Sequence, residues 1–242
     1  WGRHSLALMG GAMLMLVLVL VPSVGSSVNG ARRWLRIGSL IGIQPSEFAK
    51  VALIIWLATW CARRCREGAR RMRDPLRGFL IPMGVGAVTG GLVLMEPDFG
   101  TSVIIGTICA LMLLACGSPS LYMLLAALAS LPILHKLVFS TPYRLERVVA
   151  FLDPWSDAQG AGYQLVQSLI AIGAGGLKGK GLAGGSMGFL PAARNDFIFS
   201  TIAEQLGFLG SGAVVGLFVW LLWEGVRVAL RSRTVYHFAL AL

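Results

Sequence analysis

The sequence predicts an all-α fold, a polytopic bundle of transmembrane helices. Of its 242 residues 56% are hydrophobic and only 13% are charged, whereas a soluble domain carries about 25% charged residues. Apolar runs that approach or reach the roughly 20 residues needed to cross a bilayer recur along the chain. An open sheet would leave backbone groups without partners in lipid, so these runs are expected to be helices.

The apolar runs predict about six complete spans and the start of a seventh. Pro22 ends the first run, while Pro45 and Ser46 are residues typical of a helix start and open the second. The spans are expected at residues 6–21, 44–60, 79–95, 101–116, 121–139 and 197–223, with a seventh from residue 235 onward.

The distribution of positive charge predicts the orientation of the spans. The segment 61–78 carries seven arginines, which places it on the cytoplasmic side. The short inner segments then carry eleven Lys and Arg, and the short outer segments three. The loops around Trp34, Asp98 and Asp196 consequently fall together on the outer face.

The net charge of +10 is better explained by membrane topology and anionic lipid than by nucleic acid. The arginines cluster at helix ends, and no interleaved aromatic and basic platform for a single strand is present. Nucleic acid is therefore not expected as a partner. The four cysteines match no zinc spacing, and no metal site is predicted from protein ligands.

We expect one integral membrane domain over residues 1–242. Because the chain lacks an initial Met and ends inside an apolar run, it looks like a fragment of a longer protein. Within it, the loop 140–195 has ten glycines between residues 160 and 188. This loop is too polar to span lipid and too apolar for a solvated linker, so re-entrant or interfacial helices and an extracytoplasmic catalytic role are expected.

Three polar side chains at the start of the sixth span form one candidate constellation. Asp196 stands where the helix begins, and it can be a helix cap, a general base, or both. Ser200 and Glu204 follow at four-residue steps, so all three share a face. A carboxylate inside a membrane helix is costly, so Glu204 is either functional or paired with a cation such as Lys50.

The EPDFG sequence predicts a turn into the fourth span, with Asp98 as the cap. Pairing of Glu96 with Asp98 is the functional alternative. At the start of the second span, Glu47 and Lys50 lie three residues apart and are expected on one helix face.

Several cations can hold phosphates or, alternatively, lipid headgroups. They are Arg32, Arg33, Arg36 and Lys50 in and after the first outer loop. Lys178 and Lys180 lie in GGLKGKGL, which lacks the Walker pattern and is not a nucleotide loop. Trp34 is an aromatic anchor at the membrane interface or a platform for a sugar ring.

Four linked motifs resemble the SEDS family (shape, elongation, division and sporulation) in order and spacing. They are NGARRWLRIG with IQPSEFAK, EPDFGTS, FLDPW with GAGYQLVQSLIAIGAGGLKGKGL, and FLPAARNDFIFSTIAEQLGFLG. The third motif is more similar to the division branch than to the elongation branch. The resemblance implies about ten spans with cytoplasmic termini, of which this chain starts near the third and ends within the ninth.

The resemblance implies a lipid II polymerase in the bacterial cytoplasmic membrane, with its active site on the extracytoplasmic face. It also implies a class B penicillin-binding protein and other division proteins as partners. Asp196 matches the family's loop aspartate. The family commonly has PEAHTDF where this chain has PAARNDF, so Ala192, Arg194 and Asn195 replace Glu, His and Thr.

The proposed chemistry needs one base and several cations. A carboxylate at Asp196 takes the proton of an acceptor GlcNAc 4-hydroxyl as it attacks C1 of MurNAc, and positive groups stabilise the departing undecaprenyl pyrophosphate. A divalent cation, Mg²⁺ or Mn²⁺, is the alternative source of that charge. The candidate substrate contacts are Trp34, Arg36, Lys50, Gln164, Ser168, Lys178, Lys180 and Arg194, and the supporting residues are Glu47, Asp98, Ser200 and Glu204.

Two other functions remain open from the residues. The protein can be a lipid II transporter, in which Glu204 and the outer cations line a pathway, although the sequence shows no inverted repeats with broken helices. It can also be a non-catalytic scaffold for the cross-linking enzyme.

Overall fold

The computed structural model describes residues 4–28, 31–37, 41–68, 72–140, 142–181 and 197–241. It confirms the predicted helical fold class. The elements in chain order are α1 (Ser5–Leu20), β1 (Gly25–Val28), β2 (Ala31–Ile37), β3 (Ile41–Ile43), α2 (Pro45–Arg66), a π-helical stretch (Pro75–Leu80) leading into α3 (Ile81–Met95), α4 (Phe99–Ala115), α5 (Ser120–Phe139), α6 (Pro142–Leu152), α7 (Tyr163–Gly175), α8 (Ile198–Arg231) and α9 (Val235–Ala241).

Three of the described helical segments are long and apolar enough to cross a membrane: Pro75–Met95, Ser120–Phe139 and Ile198–Arg231. Two shorter apolar helices, Ser5–Leu20 and Phe99–Ala115, accompany them. The chain therefore has the helix composition of a membrane protein, and many large apolar side chains on these helices are exposed, as expected for surfaces that contact lipid.

The chain divides into two compact units. The first comprises Trp1–Ala127 and Gly225–Leu242, and its core joins α1, α2, α3, α4 and α9 through buried residues such as Leu16, Leu53 and Ile105. In this core α3 and α4 approach closely, because a Cβ on Gly86 would lie 2.3 Å from the Cys109 sulfur.

The chain segment that connects α1 to α2 forms a three-stranded antiparallel sheet. The sequence predicts only a polar loop there. The strand order is β1-β2-β3, with Ser26 opposite Trp34 and Arg36 opposite Gly42. The Trp34 ring covers Gly42, where an added Cβ would stand 3.1 Å from it. The turn predicted at Asn29-Gly30 lies outside the described residues.

Two helices are longer than the sequence predicts. Helix α2 continues to Arg66, through part of the basic segment, and α8 continues to Arg231. Arginine and alanine are good helix formers, and positive charge in a last turn favours the helix dipole. Both helices therefore continue through charged residues at which the predicted apolar spans end.

The second unit comprises Leu128–Glu224. It contains the C-terminal part of α5, then α6 and α7 from the loop 140–195, and the first part of α8. This loop therefore contains two helices, α6 with the pattern of an amphipathic helix and α7 with an apolar sequence.

Candidate functional site

The start of α2 has the geometry that its sequence predicts. Gln44 occupies the N-cap position in an extended conformation, and Pro45 is the first helical residue. Lys50 Nζ lies 2.9 Å from Glu47 Oε1, so the two side chains share a face and form an ion pair. The positive charge of Lys50 is thus shared with a neighbour on its own helix.

The turn between α3 and α4 is held by Arg33 of strand β2. Its Nε donates to the Glu96 carbonyl at 3.1 Å, and another nitrogen donates to the Pro97 carbonyl at 2.6 Å. A third guanidinium nitrogen lies 3.8 Å from the Asp98 carboxylate. Arg33 therefore satisfies two backbone carbonyls of the turn that directly follows α3.

Asp98 caps α4, as predicted. Its carboxylate accepts from the Thr101 backbone N–H at 3.1 Å and from the Thr101 hydroxyl at 2.9 Å.

Glu96 is a buried carboxylate whose oxygens have no hydrogen-bond partner among the described residues. Its exposed fraction is 0%. Burial, together with the nearby charge of Asp98, raises the pKa of Glu96 to about 7, although Arg33 opposes the rise. A neutral carboxylic acid is the form that such an environment favours.

Replacement of Glu96 by Gln is expected to remove a pH dependence of stability. The folded-state pKa is raised from 4.5 to about 7, so the folded protein keeps a proton that the unfolded chain has lost. Stability then falls as the pH rises from about 4.5 through about 7, by roughly 3 kcal/mol in total. The measurement is the thermal midpoint of the detergent-solubilised protein between these pH values.

The control for this measurement is Glu146→Gln, which changes an exposed carboxylate on α6. That variant is expected to keep the parental slope of midpoint against pH. An unchanged slope in Glu96→Gln would show that this buried acid does not titrate in the window.

In the second unit, helix α8 is broken at Gly207, whose φ of 67° and ψ of −166° are not helical. Residues 176–181, here called the glycine turn, lie in this break. Backbone groups on both sides of the break are satisfied by the glycine turn: Lys180 N–H to Glu204 O at 3.0 Å, Gly181 N–H to Gln205 O at 3.0 Å, Phe208 N–H to Gly176 O at 2.8 Å and Leu209 N–H to Leu177 O at 3.3 Å.

The glycines permit this close approach. A Cβ on Gly175, at the end of α7, would lie 2.0 Å from the Ala203 carbonyl oxygen. One on Gly179 would lie 2.2 Å from the Gln205 carbonyl oxygen. Backbone therefore packs directly on backbone, which only residues without a side chain allow.

Within this unit Glu204 forms an ion pair with Lys180, whereas the sequence suggests Lys50 as a cation for it. Lys180 Nζ lies 2.9 Å from Glu204 Oε1, and Glu204 is only 2% exposed. Ser200, one turn before Glu204, is buried as well, and its hydroxyl donates to the Phe197 carbonyl at 2.7 Å. These two buried side chains fit the face predicted from their spacing.

The remaining candidates are only partly placed. Trp34 is half-buried in β2; Gln164 and Ser168 lie on α7, the first exposed and the second buried; and Lys178 is exposed in the glycine turn. Arg36 is described as a backbone position of β2. Asp196 and Arg194 lie outside the described residues, so their predicted roles stay predictions.

Two features of these sites are absent from the sequence predictions. One is the contact of Arg33 with residues more than 60 positions away; a partner at that separation has no local signal. The other is the break at Gly207, where only a glycine within an apolar run marks the position.

Among the described residues, no three His, Cys, Asp or Glu side chains group to hold a metal ion.

Fold and site define a helical membrane protein with a broken helix and an adjoining glycine turn. The chain belongs to the FtsW, RodA and SpoVE family of cell cycle proteins, because the sequence model of this family matches residues 1–242. The resemblance to the SEDS family is thereby confirmed.

Two curated relatives illustrate the similarity. The chain is 41% identical to a "Probable peptidoglycan glycosyltransferase FtsW" of Legionella pneumophila, over 99% of this chain and 60% of that protein. It is 37% identical to "Stage V sporulation protein E" of Bacillus subtilis, over 98% of this chain and 64% of that protein. The chain thus spans about 60% of the length of such relatives.

Solved structures share the fold. A chain in a structure described as "Structural coordination of polymerization and crosslinking by a peptidoglycan synthase complex" superposes with a TM-score of 0.78 at 27% identity, over 99% of this chain and 65% of that one. The rod shape determining protein RodA of Thermus thermophilus superposes with a TM-score of 0.62 at 23% identity, over 99% of this chain and 60% of that one.

Proposed function

We propose that the full-length protein is a peptidoglycan glycosyltransferase that polymerises lipid II into β-1,4 glycan strands during cell division. The observation that carries the proposal is the match of the whole chain to the family, together with a relative at 41% identity that carries the name of this activity. The site lies on the outer face of the bacterial cytoplasmic membrane.

Asp196 is the general base in this proposal. It takes the proton of the acceptor GlcNAc 4-hydroxyl while the oxygen attacks C1 of the donor MurNAc. Undecaprenyl pyrophosphate leaves from the opposite face, so the α-linked donor yields a β-linked product. Pyrophosphate leaves without protonation, so a second carboxylate is not needed, in contrast to most glycosidases.

Positive side chains stabilise the departing pyrophosphate. The candidates are Arg36, Lys50, Lys178 and Arg194. The charge of Lys180, which the sequence also offers, is engaged by Glu204. Trp34, Gln164 and Ser168 are proposed to contact the sugars. A divalent cation at the pyrophosphate would supply further positive charge.

A class B penicillin-binding protein is the proposed partner. The proposal is supported by a solved chain of the same fold that comes from a complex of polymerisation and cross-linking. Other division proteins are proposed to join the same assembly.

The break in α8 favours one alternative, a lipid II transporter, because discontinuous helices are typical of substrate pathways. Against this alternative, the backbone groups that flank the break are bonded to the glycine turn, which leaves them unavailable to a substrate or ion.

The test is an assay of the purified full-length protein with lipid II in detergent, where no membrane sides exist. Formation of a glycan polymer is the expected result. Absence of polymer in detergent, with lipid II movement across the bilayer in proteoliposomes, would replace the enzyme by the transporter.

A further inference from the structure

The side chain and the backbone of Lys180 contact the same residue. Its Nζ lies 2.9 Å from the Glu204 carboxylate, and its backbone N–H donates to the Glu204 carbonyl at 3.0 Å. Lys180 is 41% exposed, whereas Glu204 is 2% exposed. A buried carboxylate is strongly unfavourable without a paired cation, so the position of the lysine is fixed by its partner.

The pair joins the glycine turn to α8 beside the break at Gly207. The next residue along the turn, Gly181, donates its N–H to the Gln205 carbonyl at 3.0 Å. Gly181 directly precedes the segment 182–196, and Phe197 directly follows it, one residue before α8 begins. The described residues on either side of that segment, Gly181 and Phe197, are therefore both attached to the first part of α8.

We propose that the Lys180–Glu204 ion pair is a positioning element of the transferase, which fixes the glycine turn in the break of α8 and thereby holds one end of the segment that carries Asp196. The inference rests on the proposed function, because Asp196 is the base in that function. Fixing the ends of a segment restricts the conformations open to it, and catalysis depends on geometry held within a fraction of an ångström.

This role differs from that of a phosphate ligand. A ligand lysine offers its charge to the substrate, and its loss weakens substrate binding. The charge of Lys180 instead compensates the carboxylate of Glu204 in the same unit. Loss of Lys180 therefore removes this compensation from a buried charge. The two roles therefore predict different responses to a second substitution at Glu204.

The experiment is a double-mutant cycle in the full-length protein, with Lys180→Met, Glu204→Gln and the double variant. The readouts are kcat and KM for lipid II in detergent and the thermal midpoint. Lys180→Met is expected to lower kcat by about tenfold or more at unchanged KM, within the range of coupling found for contacting pairs. In the double variant, the neutral pair is expected to recover most of that loss.

Two further variants control the cycle. Lys180→Arg keeps the charge and is expected to retain kcat, which tests the pair even if Lys180→Met does not fold. Lys136→Met removes an exposed lysine from α5 and is expected to leave all readouts unchanged.

A raised KM in Lys180→Met that Glu204→Gln does not correct would identify a substrate ligand and overturn the proposal. Additive losses in kcat, without recovery in the double variant, would overturn it as well. If the parent makes no glycan, the proposed function fails, and the thermal midpoints test the ion pair separately. Midpoint shifts of the two single variants that do not add in the double variant would support the fixed glycine turn. Shifts that add would reject it.

Discussion

Replacement of Asp196 by Asn in the full-length protein is expected to abolish glycan polymerisation while the helices stay folded. A sugar hydroxyl is a weak nucleophile at neutral pH, and a positioned base contributes about 10²- to 10⁴-fold to such a step. Asparagine keeps the shape of the side chain but does not accept the proton. The measurement is polymer formed from lipid II, together with the thermal midpoint and the elution profile.

The matched control is Asp157→Asn, which makes the same chemical change in the same loop. Asp157 accepts from the backbone N–H groups of Gly160 and Ala161 at 3.0 and 2.8 Å, a turn contact for which an asparagine side chain can substitute in part. This variant is expected to retain polymerase activity. Parental activity in Asp196→Asn would remove the general base from the mechanism.

The features that the sequence predicts well are local. Pro45 at the start of α2, the Asp98 cap and the Glu47–Lys50 pair each depend on residues within one helical turn. Spacing along a helix fixes such contacts, because neighbours three or four positions apart share a face.

The features that the sequence does not predict depend on long-range contacts. The partners of Arg33 lie more than 60 positions away, and Lys180 lies 24 positions from Glu204. The strand pairing of β1 to β3 is hidden because glycine, serine and arginine in this stretch are typical of a polar loop. Composition therefore predicts the fold class here, while the arrangement of the charged residues depends on how distant elements pack.

Replacement of Gly207 by Ala is expected to destabilise the protein strongly. At φ 67° and ψ −166° a residue with a side chain is strained by about 1–3 kcal/mol. An added Cβ would also lie 2.3 Å from the Gly179 backbone nitrogen and 2.6 Å from the Leu177 carbonyl oxygen. Because both are backbone atoms of the glycine turn, relief of the clash requires the turn to leave the break.

The same substitution at Gly212, five positions along α8, is the control, because an added Cβ there meets nothing within 4 Å. Alanine in an open helical position is favoured over glycine by up to about 1 kcal/mol, so Gly212→Ala is expected to match or exceed the parental thermal midpoint. Gly207→Ala is expected to lower the midpoint and to reduce polymerisation with it, since the backbone bonds to Gly176 and Leu177 are lost together. Equal midpoints in the two variants would mean that the break in α8 is not held by the glycine turn, and the positioning of residues 182–196 through that turn would then lack its structural basis.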